Sequence, residues 1–124
     1  LQLATPDLYA DIWPDGWAPR TLEIRLRQST PPAMGLRISG THAHPAGGRT
    51  QLIANAPDGQ TFRVILAHAG PFEWTLPITE RLPDARLVYR LTADRSFVPA
   101  ALDAQSTDTR ELAWRLDHLA LDLA

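Results

Sequence analysis

The chain of 124 residues is predicted to form one antiparallel β-sandwich of the all-β class. Several short segments alternate apolar and polar residues, which is the pattern of strands that bury one face. Eleven prolines and seven glycines divide the sequence into pieces of strand length. Short strands that follow one another at intervals of about ten residues, with turn residues between them, are typical of sandwiches.

Composition limits the classes of function. The formal net charge of −2 gives no electrostatic reason to expect a nucleic acid or an anionic membrane surface as partner. The chain has no Cys, which excludes disulfides and thiolate metal sites, and no apolar run approaches the roughly 18 residues of a membrane span. Because the sequence starts at Leu1 without a Met, we expect a single domain, residues 1–124, excised from a larger multidomain protein.

The first two regular strands are predicted from strict alternation. In Thr21–Arg27 the apolar residues lie on one face and the charged residues on the other. Residues 34–40 repeat the alternation, and Met34, Leu36 and Ile38 are expected to face inward. Residues 41–49, which include Pro45-Ala-Gly-Gly48, are predicted to form a loop.

The middle of the chain contains a predicted hairpin and two more strands. Pro57-Asp-Gly59 separates the β-rich segments 50–55 and 60–68, and Asp-Gly between two such segments is typical of a hairpin turn. Residues 72–76 and 85–91 alternate in the same way. The outward polar residues, such as Arg25, Arg37 and Arg63, either line a ligand-binding face of a sheet or form the solvated side of the sandwich, and the second interpretation is favoured.

The last segment fits two structures. The leucines at 112, 116, 119 and 123 have helical spacing, which favours an amphipathic helix. Residues 112–116 and 119–123 also alternate, and the phase slips at Asp117-His118. A β-bulge at that point would place both sets of apolar residues on one face. We favour a long closing strand.

The aromatic residues supply the candidate binding site. Trp74, Tyr89 and Trp114 are in phase with apolar neighbours and are predicted to lie in the core, whereas Trp13 and Trp17 precede the regular strands. Trp13-Pro-Asp-Gly-Trp17 has the composition of a turn, since Pro presets one φ and Gly accepts a positive φ. The turn either closes one end of the core, with Trp17 as the cap, or offers its rings as a platform for a sugar.

No catalytic set or metal site is predicted. His42-Ala-His44 lies in a loop without further ligands at zinc spacing, so these two side chains are interpreted as solvated. The chain has no Gly-x-Ser-x-Gly elbow and no nucleotide-binding motif. The nearby carboxylates Asp7, Asp11 and Asp15 are interpreted as turn formers. We therefore expect no enzyme activity, no metal and no cofactor.

Two motifs near the end of the chain complete the candidate site. Ser96-Phe-Val-Pro99 enters a loop in which Pro99 ends the strand pairing, and Asp108-x-Arg110 leaves it. Asp108 and Arg110 alternate and point to the same side, so they are expected either to pair within their own neighbourhood or, through Arg110, to meet Asp15 and join the two ends of the chain. A structural ion pair is favoured over a ligand contact at these positions.

Together, these motifs resemble those of a known domain family. Tyr9-x-Asp11 followed by Asp15-Gly-Trp17, and Ser96-Phe-Val-Pro99 with Asp108-x-Arg110-Glu-Leu112, are similar to motifs of an accessory β-sandwich domain. Such domains accompany glycosyltransferases of bacterial surface-polysaccharide assembly. The resemblance covers residues 9–121, although the insert Ile12-Trp13-Pro14 lacks a counterpart.

The resemblance implies a jelly-roll-like fold and a non-catalytic role beside a transferase domain, in a cytoplasmic or membrane-associated protein. The expected function is a carbohydrate-binding module, with Trp13 and Trp17 as stacking rings and Asp11, Asp15 and Arg110 as polar contacts. The alternative is a protein-interaction or dimerisation module of a polysaccharide-biosynthesis protein, in which the same aromatic rings form the contact.

Overall fold

The computed structural model describes residues 8–123 and consists of two antiparallel sheets packed against each other. The strands are β1 (Leu8–Ala10), β2 (Trp17–Ala18), β3 (Thr21–Arg27), β4 (Ala33–His42), β5 (Thr50–Asn55), β6 (Thr61–Leu66), β7 (Gly70–Pro77), β8 (Arg86–Ala93) and β9 (Trp114–Leu123), with one short helix, α1 (Pro99–Leu102), before β9. The expected all-β sandwich is therefore confirmed.

The strand order is that of a jelly roll. The five-stranded sheet has the order β1-β3-β8-β5-β6 and the four-stranded sheet the order β2-β9-β4-β7. The pairs β2–β9, β3–β8, β4–β7 and β5–β6 are nested, so that the first strand of the series pairs with the last. The chain thus forms one long antiparallel ribbon, rolled so that successive pairs lie in opposite sheets.

The core lies between the sheets and is built by the predicted alternation. In β3 the residues Leu22, Ile24 and Leu26 are buried, while the charged residues between them face outward. Trp114 and Tyr89 are the largest buried side chains, as their phase predicted. Trp74 is half-buried and packs against the edge of this core.

The hairpin and the closing strand also agree with the sequence. β5 and β6 pair from Thr50–Leu66 to Asn55–Thr61 around the Asp-Gly turn. In β9 the register with β4 shifts between the pairs Ser39–His118 and Gly40–Leu116, so Asp117 is the extra residue of a bulge. The bulge restores the inward phase, which leaves both Leu116 and Leu119 buried.

Met34 and Leu123 were predicted to face inward, and both predictions are wrong. The two residues lie at the end of the sandwich where β4 begins and β9 ends. The register shifts between Ala33 and Gly35, so Met34 turns outward and is exposed. Leu123, which pairs with Ala33, is also exposed. A period-two pattern cannot reveal an irregularity of this kind, because one extra residue reverses the face without changing the composition.

Four further elements differ from the expectation. β4 continues to His42, so the predicted loop begins two residues later than expected. β1 and β2 are only three and two residues long, which is too short for alternation to identify them. α1 begins at Pro99 in a segment predicted as loop, and proline is favoured in the first turn because it has no N–H to satisfy.

A buried amide fixes the end of the sandwich opposite the Trp13 turn. Gln28 follows β3 and is almost completely buried. Its Nε2 donates to the carbonyl oxygens of Ala33 (3.0 Å) and Glu80 (2.7 Å), and its Oε1 accepts from the N–H groups of Ser29 (2.9 Å) and Ala33 (2.8 Å). All four hydrogen-bonding positions of the amide are therefore satisfied.

Candidate functional site

The segment from Trp13 to Trp17 forms the predicted turn. The Gly16 N–H donates to the Trp13 carbonyl (2.8 Å), and the Trp13 N–H donates to the Trp17 carbonyl (2.9 Å). Gly16 has a φ of 96°, which only glycine adopts without strain. The Gly16 carbonyl then accepts the Leu116 N–H (2.9 Å), which fixes the turn to β9.

Arg110 joins this turn to the end of the α1–β9 connection. Its Nη1 and Nη2 donate to the two carboxylate oxygens of Asp15 at 3.1 and 2.8 Å. Its Nε and Nη2 donate to the two oxygens of Asp108 at 3.0 and 2.7 Å. The guanidinium is thus held by two bidentate pairs, and the predicted link between Asp15 and Arg110 is confirmed.

These contacts favour the charged form of every member of the cluster. Hydrogen bonds from Arg110 lower the pKa of Asp108 from 3.8 to about 2 and also lower the pKa of Asp15. The same two carboxylates raise the pKa of Arg110. Because Asp15 and Arg110 already bond each other, a sugar hydroxyl would have to compete with these pairs for their oxygens and N–H groups.

Trp13 has a different setting. Its ring is 38% exposed, and Cζ of Arg110 lies 5.3 Å from the ring centroid. A cation over the ring face restricts how the ring can move. On the other side of the turn a shallow cavity of about 250 Å³ is lined by Asp11, Ile12, Trp13 and Pro19. The Asp11 carboxylate has no hydrogen bond or ion pair with any residue from 8 to 123.

Trp17 is built into the end of the sandwich. Its ring is half-buried and meets the Phe97 ring edge to face, with centroids 5.5 Å apart. Phe97 in turn pairs with Leu112 through two backbone hydrogen bonds of 2.8 Å. The contacts of Asp15 with Arg110 and of Trp17 with Phe97 therefore bring two distant segments into one cluster. One is Asp15-Gly-Trp17 near the start of the chain, and the other contains Phe97 and Arg110 near its end.

A wider groove lies beside Phe97, and no pattern in the sequence indicates it. It has a volume of about 560 Å³ and is bordered by the loop after β4, α1 and the start of the β9 segment. Its lining includes His44, Phe97, Leu102 and Glu111. Leu102 is 61% exposed and Phe97 supports the ring of His44 at 5.2 Å. These residues are far apart in sequence and share no period, so only the fold brings them together.

The interpretation of His42 as a solvated loop residue is wrong. His42 lies at the end of β4 and is almost completely buried. Its Nδ1 lies 3.1 Å from the His68 carbonyl oxygen and its Nε2 lies 2.9 Å from the Thr50 hydroxyl. Because a carbonyl oxygen only accepts, the ring donates from Nδ1 to His68; Arg95, which only donates, lies 3.5 Å from Nε2 through its Nη2, so Nε2 is the accepting nitrogen. The histidine therefore links the backbone of the loop after β6 to the Thr50 hydroxyl at the start of β5.

The described part of the chain contains no group of three or more His, Asp or Glu side chains arranged to hold a metal ion. The ring of His44 lies against Phe97, while that of His42 is buried. Asp7 lies outside the described residues. Within residues 8–123 no helix is long and apolar enough to cross a bilayer.

Comparison of the chain with protein-family models, with curated proteins and with solved structures finds no match.

Proposed function

We propose that this chain is a non-catalytic carbohydrate-binding module that accompanies a bacterial glycosyltransferase. The observation that supports it is the exposed ring of Trp13, held by Arg110 and bordered by a shallow cavity. An apolar sugar face stacks on such a ring, and the unpaired Asp11 carboxylate beside it accepts bonds from sugar hydroxyls. The remaining candidates, Asp15 and Arg110, act by fixing the turn that carries the ring.

The expected affinity is low. Ring stacking contributes about 1 kcal/mol beyond the buried area, and each net hydrogen bond contributes about the same. A site with one ring and a few hydroxyl bonds then has a dissociation constant of about 1 mM to tens of micromolar. Such a module works by raising the local concentration of glycan beside an adjoining transferase domain, in a cytoplasmic or membrane-associated protein.

The test is a glycan-array screen of the chain with two site variants and a matched control. Trp13→Ala is expected to abolish binding, and Trp13→Phe is expected to retain part of it because the stacking face remains. Leu102→Ala removes an exposed apolar side chain at the groove, away from the Trp13 turn, and is expected to bind as the parent does. Circular dichroism checks that each variant is folded. Equal binding by the parent and Trp13→Ala would contradict the proposed site, and absence of binding to any glycan would contradict the function.

The groove beside Phe97 favours a second candidate, a protein-interaction or dimerisation module. Leu102 projects from α1 at the border of this groove, and exposed apolar side chains beside a concave surface are common at protein contacts. Sedimentation equilibrium would show self-association that Leu102→Asp abolishes and Trp13→Ala leaves unchanged. A monomer at all concentrations would remove the dimerisation form of this candidate.

A further inference from the structure

The outward surface of the five-stranded sheet is strongly basic, although the whole chain has a net charge of −2. We call this surface the arginine face. Its charged members are the residues between the buried positions of β3, β6 and β8, and they comprise Glu23, Arg25, Arg27, Arg63, Arg86 and Arg90. Among the described residues of this face, five arginines thus stand against one carboxylate.

The strand register places these residues in rows. Arg25 lies between Tyr9 of β1 and Val88 of β8, so the basic side chain is flanked by a ring and an apolar side chain. Arg90 lies between Glu23 and Asn55 in the next row. Neighbouring strands are about 4.8 Å apart, and outward residues along a strand repeat every 7 Å or so. Each of these two rows therefore holds one fixed cation, the first beside a ring and an apolar side chain and the second beside a carboxylate and an amide.

The carboxylate of the face does not neutralise it. Glu23 accepts from Arg25 Nη2 at 3.4 Å and from Arg90 Nη2 at 3.3 Å, so two cations share one anion. Both contacts lower the pKa of Glu23, and the hydrogen bond from Arg90 has the larger effect. Arg63 and Arg86 form no ion pair with any carboxylate of residues 8–123. Among the described residues, the guanidinium groups of Arg63 and Arg86 are therefore available to a partner.

The outward surface of the four-stranded sheet differs in this respect. There Arg37 pairs with Asp122 at 3.1 Å, and Arg115 pairs with Asp117 at 3.1 Å. Glu73 adds another negative charge in the same sheet. Because the two surfaces belong to one small domain, the excess of arginine on one of them is a local property of the fold and not of the composition.

We propose that the arginine face binds an acidic glycan, a polymer whose repeating carboxylates lie along the rows of guanidinium groups. The inference rests on the proposed function, which supplies the class of partner, a glycan. It adds that the glycan is acidic and that it contacts a second surface of the domain. A guanidinium matches a carboxylate with two parallel hydrogen bonds, and Tyr9 offers a ring to the sugar. A shallow cavity of about 230 Å³, lined among others by Tyr9, Arg25, Arg86 and Val88, provides a concave surface to which the polymer binds.

Fixed rows of cations favour a polymer with regular charges over an anionic membrane. A membrane surface attracts basic side chains by their number, with little dependence on their arrangement. On the arginine face Tyr9 of β1 pairs with Arg25 of β3, so a ring and a cation lie side by side. A glycan can follow such rows with its ring faces on the apolar side chains and its carboxylates on the arginines.

The experiment is native affinity electrophoresis of the chain in gels that contain polygalacturonate or the neutral polymer dextran, with two double variants. Arg86→Gln/Arg90→Gln removes two charges from the arginine face, and Arg37→Gln/Arg115→Gln removes two from the opposite surface, so the net charge changes equally. Polygalacturonate is expected to retard the parent chain. The first variant is expected to bind about 5- to 30-fold more weakly and the second within about twofold of the parent.

Each outcome bears on the inference. Equal weakening by both double variants would show a dependence on net charge alone and would overturn it. No retardation by polygalacturonate, with Trp13-dependent binding on the glycan array, would overturn it and leave the proposed function intact. Failure to bind any glycan would overturn both. Sedimentation with phosphatidylserine vesicles that exceeds glycan binding and is lost in Arg86→Gln/Arg90→Gln would reassign the face to a membrane.

Discussion

Replacement of Gln28 by methionine is expected to destabilise the sandwich. The loss in the free energy of unfolding depends on which hydrogen bonds of the Gln28 amide water can replace. Methionine keeps the length and approximate volume of the side chain, so the core needs little repacking. It removes all four hydrogen bonds of the buried amide. The bonds to Ser29 and Glu80 involve residues that reach solvent, so water can replace part of their loss.

The two bonds to Ala33 dominate the magnitude. Ala33 is completely buried, and both its N–H and its C=O lose their partner in the variant. An unsatisfied buried polar group costs about 1–3 kcal/mol, so we expect a loss of about 2–5 kcal/mol in the free energy of unfolding. Since small domains are stable by about 5–15 kcal/mol, this is a large fraction of the total.

Urea denaturation followed by tryptophan fluorescence measures the effect by linear extrapolation. Gln105→Met is the matched control, because Gln105 is exposed and its side chain forms no hydrogen bond within residues 8–123. The control is expected to change the free energy of unfolding by less than about 0.5 kcal/mol. A loss below about 1 kcal/mol in Gln28→Met, or an equal loss in both variants, would refute the reasoning.

Three further predictions concern other parts of the fold. Gly40→Ala would place a Cβ 2.7 Å from the Arg115 carbonyl oxygen and is expected to lower the free energy of unfolding by about 1–3 kcal/mol; an unchanged urea midpoint would contradict this. Tyr89→Phe removes the 2.9 Å bond from the buried hydroxyl to a backbone carbonyl and is expected to cost about 1 kcal/mol in the same assay. Arg110→Gln tests the ion pairs through pH. Because the pKa of Asp108 falls from 3.8 to about 2 on folding, its contribution is complete above about pH 4 and is lost as pH falls towards 2. The stability difference between parent and variant should therefore shrink over that range, and a constant difference would contradict the assignment.

The candidate site was only partly accessible to sequence reasoning. The turn at Trp13 could be predicted because Pro and Gly impose local backbone angles that need no distant partner. The ion pair between Asp15 and Arg110 followed from the positions of two charged residues at the ends of the chain. The second bidentate pair, with Asp108, was one of the two alternatives; the sequence did not indicate that both pairs form together and hold Asp15 and Arg110 in a structural cluster.

The histidine and the arginine face show why composition is a weak guide to surfaces. His42 is two residues from His44 in sequence, yet one ring is buried and the other lies against Phe97. A net charge of −2 describes the sum of all residues and contains no information on which of them share a sheet face. The arginine face could be found only from the register of β3, β6 and β8.

The sequence by itself determined the longer strands from β3 to β9, most of their buried faces, the hairpin at Asp58-Gly59 and the place of the bulge at Asp117, because each depends on neighbours within a few residues. Only the tertiary structure decided the nested pairing of a jelly roll, the groove beside Phe97 and the sorting of arginines to one surface. Those features join residues as far apart in sequence as Trp17 and Arg115, which pair across β2 and β9. No local pattern specifies such contacts, since they form only when the rolled ribbon brings its two ends together.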